Sequence, residues 1–274
     1  MTGRLVMCAT PIGNLSDVTP RLRDELAAAD VVYAEDTRRT RKLLSALGVQ
    51  ASLRSLFVGN EAARSEELRQ RLSRGATVAV VTDAGVPGIS DPGARAVATA
   101  AEVGAQITVV PGPSAVTAAV SLSGFDGDRF VFEGFLPRRG RERAQRLASL
   151  AAETRTTVLF LSPHRAGQDL ADLAGSLGEG REVVVARELT KLHEEVWRGA
   201  LGEAVERWAD DAKGEFTIVL RGAPAPVADI DAAVTVATKA IEDGESPSDA
   251  VRRVAAELGV SRRRLYDRVV GTPP

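Results

Sequence analysis

Cysteine is almost missing from this 274-residue chain: Cys8 is the only one. A single thiol builds neither a disulfide framework nor a cysteine-rich zinc site, and it reads as a small buried residue of a first strand in a protein of a reducing compartment. Histidine is nearly as scarce: His164 and His193 are the only two, at no metal-ligand spacing, so no metal centre is expected. Aromatic residues make up 4% of the chain, which leaves few platforms for stacking bases. No apolar run is long enough to span a bilayer, and the opening stretch MTGRLVMCATP has no signal-peptide core. The expectation is a cytoplasmic protein without a membrane partner. The net charge of −2 excludes a polycation that holds nucleic acid by bulk charge; an RNA partner would need local basic patches. The first predicted strand is not followed by G-x-G-x-x-G, and the chain has no G-x-x-x-x-G-K-[ST], which argues against a dinucleotide or a nucleoside triphosphate as ligand.

What is present is an alternation of strands and helices. Arg4–Ala9 reads as a strand; Thr19 and Pro20 open a helix with Leu22, Leu26 and Ala29 on one face. Val31–Tyr33 is a short strand, followed by a helix that carries Leu43, Leu44 and Leu47 and stops at Gly48. A helix over 62–72 follows. The β-branched runs Thr77–Val81 and Gln106–Val110 predict strands buried on both faces of a parallel sheet. After Gly124 the pattern changes. Strands are expected at 130–132, 156–161, 182–186, 195–198 and 215–220, with a basic loop and helix over 138–151 and helices between the strands at 156, 182 and 195. Pro224-Ala225-Pro226 marks a linker. Beyond it, Ser246-Pro247 starts a helix that ends at Gly259, and Ser261 caps a last one over 262–270, in a helix-turn-helix-like pattern. The expected organisation is an α/β lobe over 1–123, a second α/β lobe over 124–223 and a helical tail over 230–274.

Four loops leave the carboxyl ends of the predicted parallel strands: Thr10–Leu15, Ala34–Arg38, Asp83–Gly93 and Pro111–Ala115. That edge is where open α/β sheets bind ligands, and small residues there let backbone approach a ligand closely. Together with Asn60-Glu61, Glu133-Gly-Phe-Leu-Pro, Ser162-Pro-His-Arg, Ala186-Arg-Glu-Leu-Thr-Lys191 and Lys213-Gly-Glu, these segments resemble, in order and spacing, the ribosomal RNA small subunit methyltransferase I family of the tetrapyrrole-methylase-like class. The likeness runs to about Gly222, and the helical tail resembles that family's C-terminal extension. Two departures stand out. Phe57-Val58-Gly59 holds no histidine ahead of Asn60-Glu61, and Phe160-Leu161-Ser162 replaces an expected Tyr-Glu-Ser. Neither that histidine nor that glutamate can be essential to an activity kept here.

The resemblance implies a bilobal tetrapyrrole-methylase fold, S-adenosylmethionine in the cleft, a homodimer, and methylation of a cytidine 2′-hydroxyl in the decoding region of small-subunit (16S) rRNA, naked or in the assembled small ribosomal subunit. The residues expected to hold the cofactor are Pro11, Asp83, Ala84, Gly85, Val86, Ile89, Ser114 and Ala115, mainly through backbone groups and apolar walls; Asp83 serves either the ligand or its own loop. Charge and loop position make Glu35, Asp36, Glu188 and Lys191 the catalytic candidates, with Asp91 and Glu215 behind them and Glu35 and Asp36 ranked first. Lys191 beside Glu188 either favours an alkoxide or closes a salt bridge. Arg38 and Arg39, Arg138 and Arg139 (with Arg141, Arg143 and Arg146), and Arg262 and Arg263 (with Arg252, Arg253, Arg264 and Arg268) are the expected RNA contacts, reading phosphates more than sequence. Two other readings stay open: a methyltransferase of the same fold with a tetrapyrrole or protein acceptor, and a non-catalytic nucleic-acid-binding protein led by the tail.

Overall fold

The computed structural model describes residues 3–209, 212–224 and 229–271. Ala225 and Pro226 of the expected linker lie outside them. The chain forms two compact units, Met1–Ala223 and Pro224–Pro274.

In the first unit, strands β1 (Arg4–Cys8), β2 (Val31–Ala34), β3 (Leu53–Ser55), β4 (Thr77–Val81) and β5 (Gln106–Val110) form a parallel sheet in the order β3-β2-β4-β1-β5. Helices α1 (Pro20–Ala28), α2 (Thr37–Leu47), α3 (Glu61–Ser73), α4 (Ala94–Glu102) and α5 (Ala115–Ser123) connect or follow them. The local chemistry matches its causes. The Thr19 hydroxyl accepts the Leu22 N–H and Pro20 sits in the first turn of α1, while Gly48 closes α2 with φ +65°. β1 and β4 are central and dry: Leu5, Val6, Cys8, Val78, Ala79 and Val80 are fully buried, so their continuous apolar runs are those of a sheet covered on both faces. β5 departs from the expectation. It is an edge strand paired only with β1, and Ile107 and Val109 are 39% and 48% exposed. A β-branched run is equally at home on an edge, and which strand lies outermost is decided by crossover order.

The second sheet is mixed. Strands β6 (Phe130–Phe135), β7 (Thr156–Leu161), β8 (Glu182–Arg187), β9 (Glu195–Ala200) and β10 (Phe216–Leu220) lie in the order β6-β7-β10-β8-β9, where β6 and β7 are parallel and the other pairs antiparallel. Helices α6 (Gly140–Ala152), α7 (Ala166–Leu177) and α8 (Leu201–Trp208) accompany it. The helix expected between β8 and β9 is absent. Residues 188–194 turn directly into an antiparallel pair, with Arg187 opposite Glu195, and Glu188 and Thr190 take positive φ of +52° and +67°. The helix falls after β9 instead. A loop of that length closes an antiparallel pair but cannot make the helical crossover that parallel strands require. One core of this half gathers Leu159, Leu170, Leu173, Leu201 and Ile218, all fully buried, each worth about 1.5–3 kcal/mol of burial.

The two sheets share an apolar seam. Val116, Ala119 and Val120 of α5 pack with Ile12 on Val158, Val184, Ala186 and Val219. The helix that ends the first expected lobe therefore lies on the sheet of the second, and the space between the lobes is a built feature of one compact unit. The second unit packs α9 (Ile230–Glu242), α10 (Pro247–Leu258) and α11 (Arg262–Val269) around Ala233, Ala237, Val251, Val254 and Leu265. Ser246 and Ser261 cap α10 and α11, with Gly259 left-handed between them, as the turn chemistry requires. No helix among the described residues is long and apolar enough to cross a membrane.

Candidate active site

All five strands of the first sheet run parallel, so the loops after β1, β2, β4 and β5 meet at one edge. The second sheet turns its own edge toward them. The end of β7 lies beside the start of antiparallel β10, where Leu161 is opposite Phe216, and Phe216 is in turn opposite Arg187 at the end of β8. Register alone thus brings residues 162, 188 and 215 together, although they are distant in sequence.

A cavity of about 320 Å³ lies between these edges. The first lobe lines it with Ala84, Gly85, Val86, Ile89, Ser114 and Ala115, six of the eight expected cofactor residues, and with Asp91; the second lobe adds Phe135, Phe160, Ser162 and Thr217. Its size falls within the range of small-molecule clefts. Gly85 is not free to use its peptide groups on a ligand. Its N–H and C=O both bond Thr10, at 3.1 and 2.9 Å, which pins the loop after β4 to the loop after β1. With φ +80° and the Ile12 methyl 3.6 Å from where a Cβ would stand, glycine is the residue that fits there. Ser114 starts α5 without a capping bond from its side chain.

Pro11 and Asp83 fall elsewhere. They line a second cavity of about 360 Å³ with Leu15, Arg39, Lys42 and Lys191. Asp83 braces its surroundings: its carboxylate accepts the Asp36 N–H at 3.0 Å and pairs with Arg39 at 3.3 Å. Glu35 lines neither cavity. Its carboxylate accepts the Asp83 N–H at 3.4 Å, and burial first, with the neighbouring acids, holds its pKa above the usual carboxylate value. Asp36 lines neither cavity as well. It is the N-cap of α2, accepting the Arg38 N–H at 2.8 Å and pairing with the Arg38 guanidinium at 2.9 Å. The bonds from Arg38 hold its pKa down to about 2, so near neutrality it is a poor proton acceptor.

Asp91, ranked behind Glu35 and Asp36 on charge and loop position, is the acid that lines the first cavity. Burial, then the charges of Glu35 and Asp83, push its pKa up to about 7, within the cavity and at the value best suited to proton transfer at neutral pH. Ser90 before it is held at φ +59°, a conformation non-glycine residues seldom adopt. Its signal in the sequence was only an acid within a turn-rich loop, indistinguishable there from a turn residue.

Lys191 closes a compact ion-pair set. Its Nζ lies 2.7 Å from Glu188 Oε1 and 2.9 Å from Glu215 Oε2, and the Glu215 N–H also bonds Glu188 Oε1 at 2.8 Å. Burial works against the ammonium but the two carboxylates outweigh it, so the pKa of Lys191 is raised. The salt-bridge alternative is the one realised, and Lys191 stays charged. Gly13 leaves room for it, since a Cβ there would collide with the Lys191 side chain. Cys8 is fully buried, with its thiol pushed up to about 12 by that burial, as a structural residue would be. His164 and His193 are exposed, and His164 does not line the cavity.

Several expected RNA contacts have partners within the protein. Arg143 is buried and donates to Asp169, Asp172 and the Pro137 carbonyl. Arg146 pairs with Glu133, Arg252 with Asp249, Arg253 with Glu245 and Glu257, and Arg268 with Asp231. Arg143 alone corrects the sequence reading, since charge density along the chain does not distinguish a solvated face from an internal salt bridge; the pairs of Arg146, Arg252, Arg253 and Arg268 lie at the surface, as do those of Arg38 and Arg39. Arg38, Arg39, Arg138, Arg139, Arg262 and Arg263 remain exposed.

Residues 4–205 match the tetrapyrrole (corrin/porphyrin) methylases. The ribosomal RNA small subunit methyltransferase I of Mycobacterium tuberculosis is 47% identical over 272 residues, 98% of this chain and 95% of that protein. The protein of the same name from Escherichia coli O157:H7 is 40% identical over 96% of this chain and 93% of its own. That from Thermotoga maritima is 45% identical over 99% of its length but 80% of this chain, so a fifth of this chain has no counterpart there. Among solved structures, diphthine synthase superposes with a TM-score of 0.62 at 18% identity, over 80% of this chain and 90% of that one. Uroporphyrin-III-C-methyltransferase from Thermus thermophilus superposes at 0.58 and 18%, over 80% and 94%. At those identities the two structures speak for the fold. The chain belongs to the tetrapyrrole methylase family and, within it, to the ribosomal RNA small subunit methyltransferase I group.

Proposed function

We propose that the chain is an S-adenosylmethionine-dependent methyltransferase that methylates the 2′-hydroxyl of a cytidine ribose in the decoding region of small-subunit rRNA. The observation that carries this reading is the likeness, over nearly the whole chain, to proteins named ribosomal RNA small subunit methyltransferase I. On this reading it works in the cytoplasm, as a homodimer, on the RNA or on the assembled small subunit.

The first cavity fits the cofactor. Val86, Ile89 and Phe135 offer apolar walls for an adenosine. Ser114, with a hydroxyl free of capping duty at the positive end of α5, suits a carboxylate. Asp91 and Glu215 line it and no Lys, Arg or His does, which suits a cation. When bound, the sulfonium supplies an electrophilic methyl group. Asp91 is the carboxylate we assign to the hydroxyl proton, and Glu35 and Asp83 hold its loop and its pKa. Lys191, fixed by Glu188 and Glu215, orients the acceptor without giving up its charge. Asp36 positions α2, and through it Arg38 and Arg39, for phosphates. The tail adds affinity through Arg262 and Arg263 but does not lead the function: the family match ends at residue 205, before the helical unit begins.

The test uses small-subunit particles from cells lacking this gene, purified protein and labelled S-adenosylmethionine, with the label located by nucleoside mass spectrometry. Label on a cytidine ribose is the expected result. Absence of label from the RNA, with cofactor binding verified by calorimetry, would overturn the assignment in favour of a small-molecule or protein acceptor.

A further inference from the structure

Two cavities meet at the cofactor edge, and they share only three lining residues: Ile12, Ala84 and Glu215. Their chemistry differs. The first is lined by acids and no cation. The second, of about 360 Å³, is lined by three cations, Arg39, Lys42 and Lys191, against the two acids Asp83 and Glu215. The two acids are already engaged, Asp83 by Arg39 and Glu215 by Lys191. Lys42 is exposed and has no partner among the described residues. Between the charges lies apolar surface: Pro11, Leu43, and Leu15, which is 56% exposed. An exposed leucine beside an unpaired lysine costs the isolated protein some solvation and gains it nothing, whereas a nucleotide would use both, its base or sugar on the leucine and its phosphate on the lysine.

We propose that this second cavity is the subsite of the acceptor nucleotide, with Lys42 and Arg39 on the flanking phosphates, Leu15 and Leu43 against the base and sugar, and the Ile12–Ala84–Glu215 wall as the side across which the ribose hydroxyl reaches into the first cavity, toward the methyl group and Asp91. The proposal rests on the functional reading above and adds to it where on this chain the RNA is seated. The electrostatic division supports it. A sulfonium cation is favoured on the acidic side of the wall and a polyanion on the cationic side, so the two reactants do not compete for one space. Arg39 is placed to change partner. Its pair with Asp83 is 3.3 Å long with the Arg39 side chain 63% exposed, a solvent-screened contact that a phosphate can replace at little cost.

The test photo-crosslinks p-benzoylphenylalanine, placed at Leu15, to the unmethylated small-subunit particle. The crosslink is expected at the nucleotide that the wild-type protein methylates or at its immediate neighbour. Two variants accompany it. Leu43→Trp fills the cavity and is expected to raise the KM for the particle by at least about tenfold while calorimetry shows cofactor affinity unchanged. Lys42→Gln is expected to lower the slope of log affinity against log salt by about 1. Crosslinks only at remote nucleotides, or none, or a Leu43→Trp protein with wild-type KM, would overturn the subsite while wild-type methylation of the particle left the function standing. Failure of the wild-type protein to methylate the particle would overturn both.

Discussion

Arg143 separates an RNA-binding arginine from a structural one. Its side chain is 8% exposed and donates four hydrogen bonds: 2.8 and 2.6 Å to Asp172, 2.8 Å to Asp169 and 2.8 Å to the Pro137 carbonyl. The Asp169 side chain is itself 5% exposed, and its other cationic partner, Arg165, stands at 3.4 Å. Replacing Arg143 by Met removes the guanidinium but leaves Asp169 buried with its charge poorly compensated. Breaking a buried pair in this way costs about 3–5 kcal/mol, which in a unit of this size lowers the thermal midpoint by about 6–20 °C. Replacing Asp169 by Asn in the same protein removes the stranded charge and should return part of the loss. Thermal and urea melts monitored by circular dichroism measure both, with an unchanged urea slope as the check that the native state is intact. Affinity for the small-subunit particle, measured below the melt, should not change. A midpoint within 1–2 °C of wild type, or a loss of RNA affinity without a loss of stability, would refute the structural role.

The pH dependence of stability tests Asp91. A carboxyl raised from 3.8 to about 7 in the folded protein contributes stability that is fully present below the unfolded value and is lost as pH rises through about 7. Asp91→Asn should therefore raise the thermal midpoint at pH 8 more than at pH 6, while slowing methyl transfer and removing its rise with pH; equal midpoints at both pH values would contradict the buried acid. Asp36 has the opposite sign. Its pKa is lowered to about 2, so its contribution is present above the unfolded value of 3.8 and is lost as pH falls through about 2. Asn also caps helices, so Asp36→Asn should keep turnover close to wild type and lose less midpoint than the wild type between pH 4 and 2. A large loss of turnover in Asp36→Asn would return Asp36 to the catalytic set.

Local chemistry was legible wherever one segment carries its own cause. Thr19-Pro20, Ser246-Pro247 and Gly48 mark helix ends through bonds to their own neighbours, and β4 reads as a strand buried on both faces because every residue from Val78 to Val81 is apolar and buried, whereas the same reading fails for β5 at the sheet edge. The cofactor-edge loops were legible for the same reason: parallel strands send their following loops to one edge, so six residues expected at the ligand line one cavity. The sequence by itself therefore determined the family, the parallel sheet and the edge where the candidate cavity opens. Tertiary structure decided which charges are free. Asp36 and Asp91 are both acids in loops after strands, yet one caps a helix in solvent and the other is desolvated beside two like charges. Arg143 and Lys42 are both helical cations, yet one is locked in the interior and the other faces a cavity with no partner among the described residues. The antiparallel register of β10 with β7 and β8 brought Glu215 to Glu188 and Lys191. A residue type and its neighbours in sequence set what a group can do, while burial and the charges around it, which come from distant segments, set its protonation state and its partners.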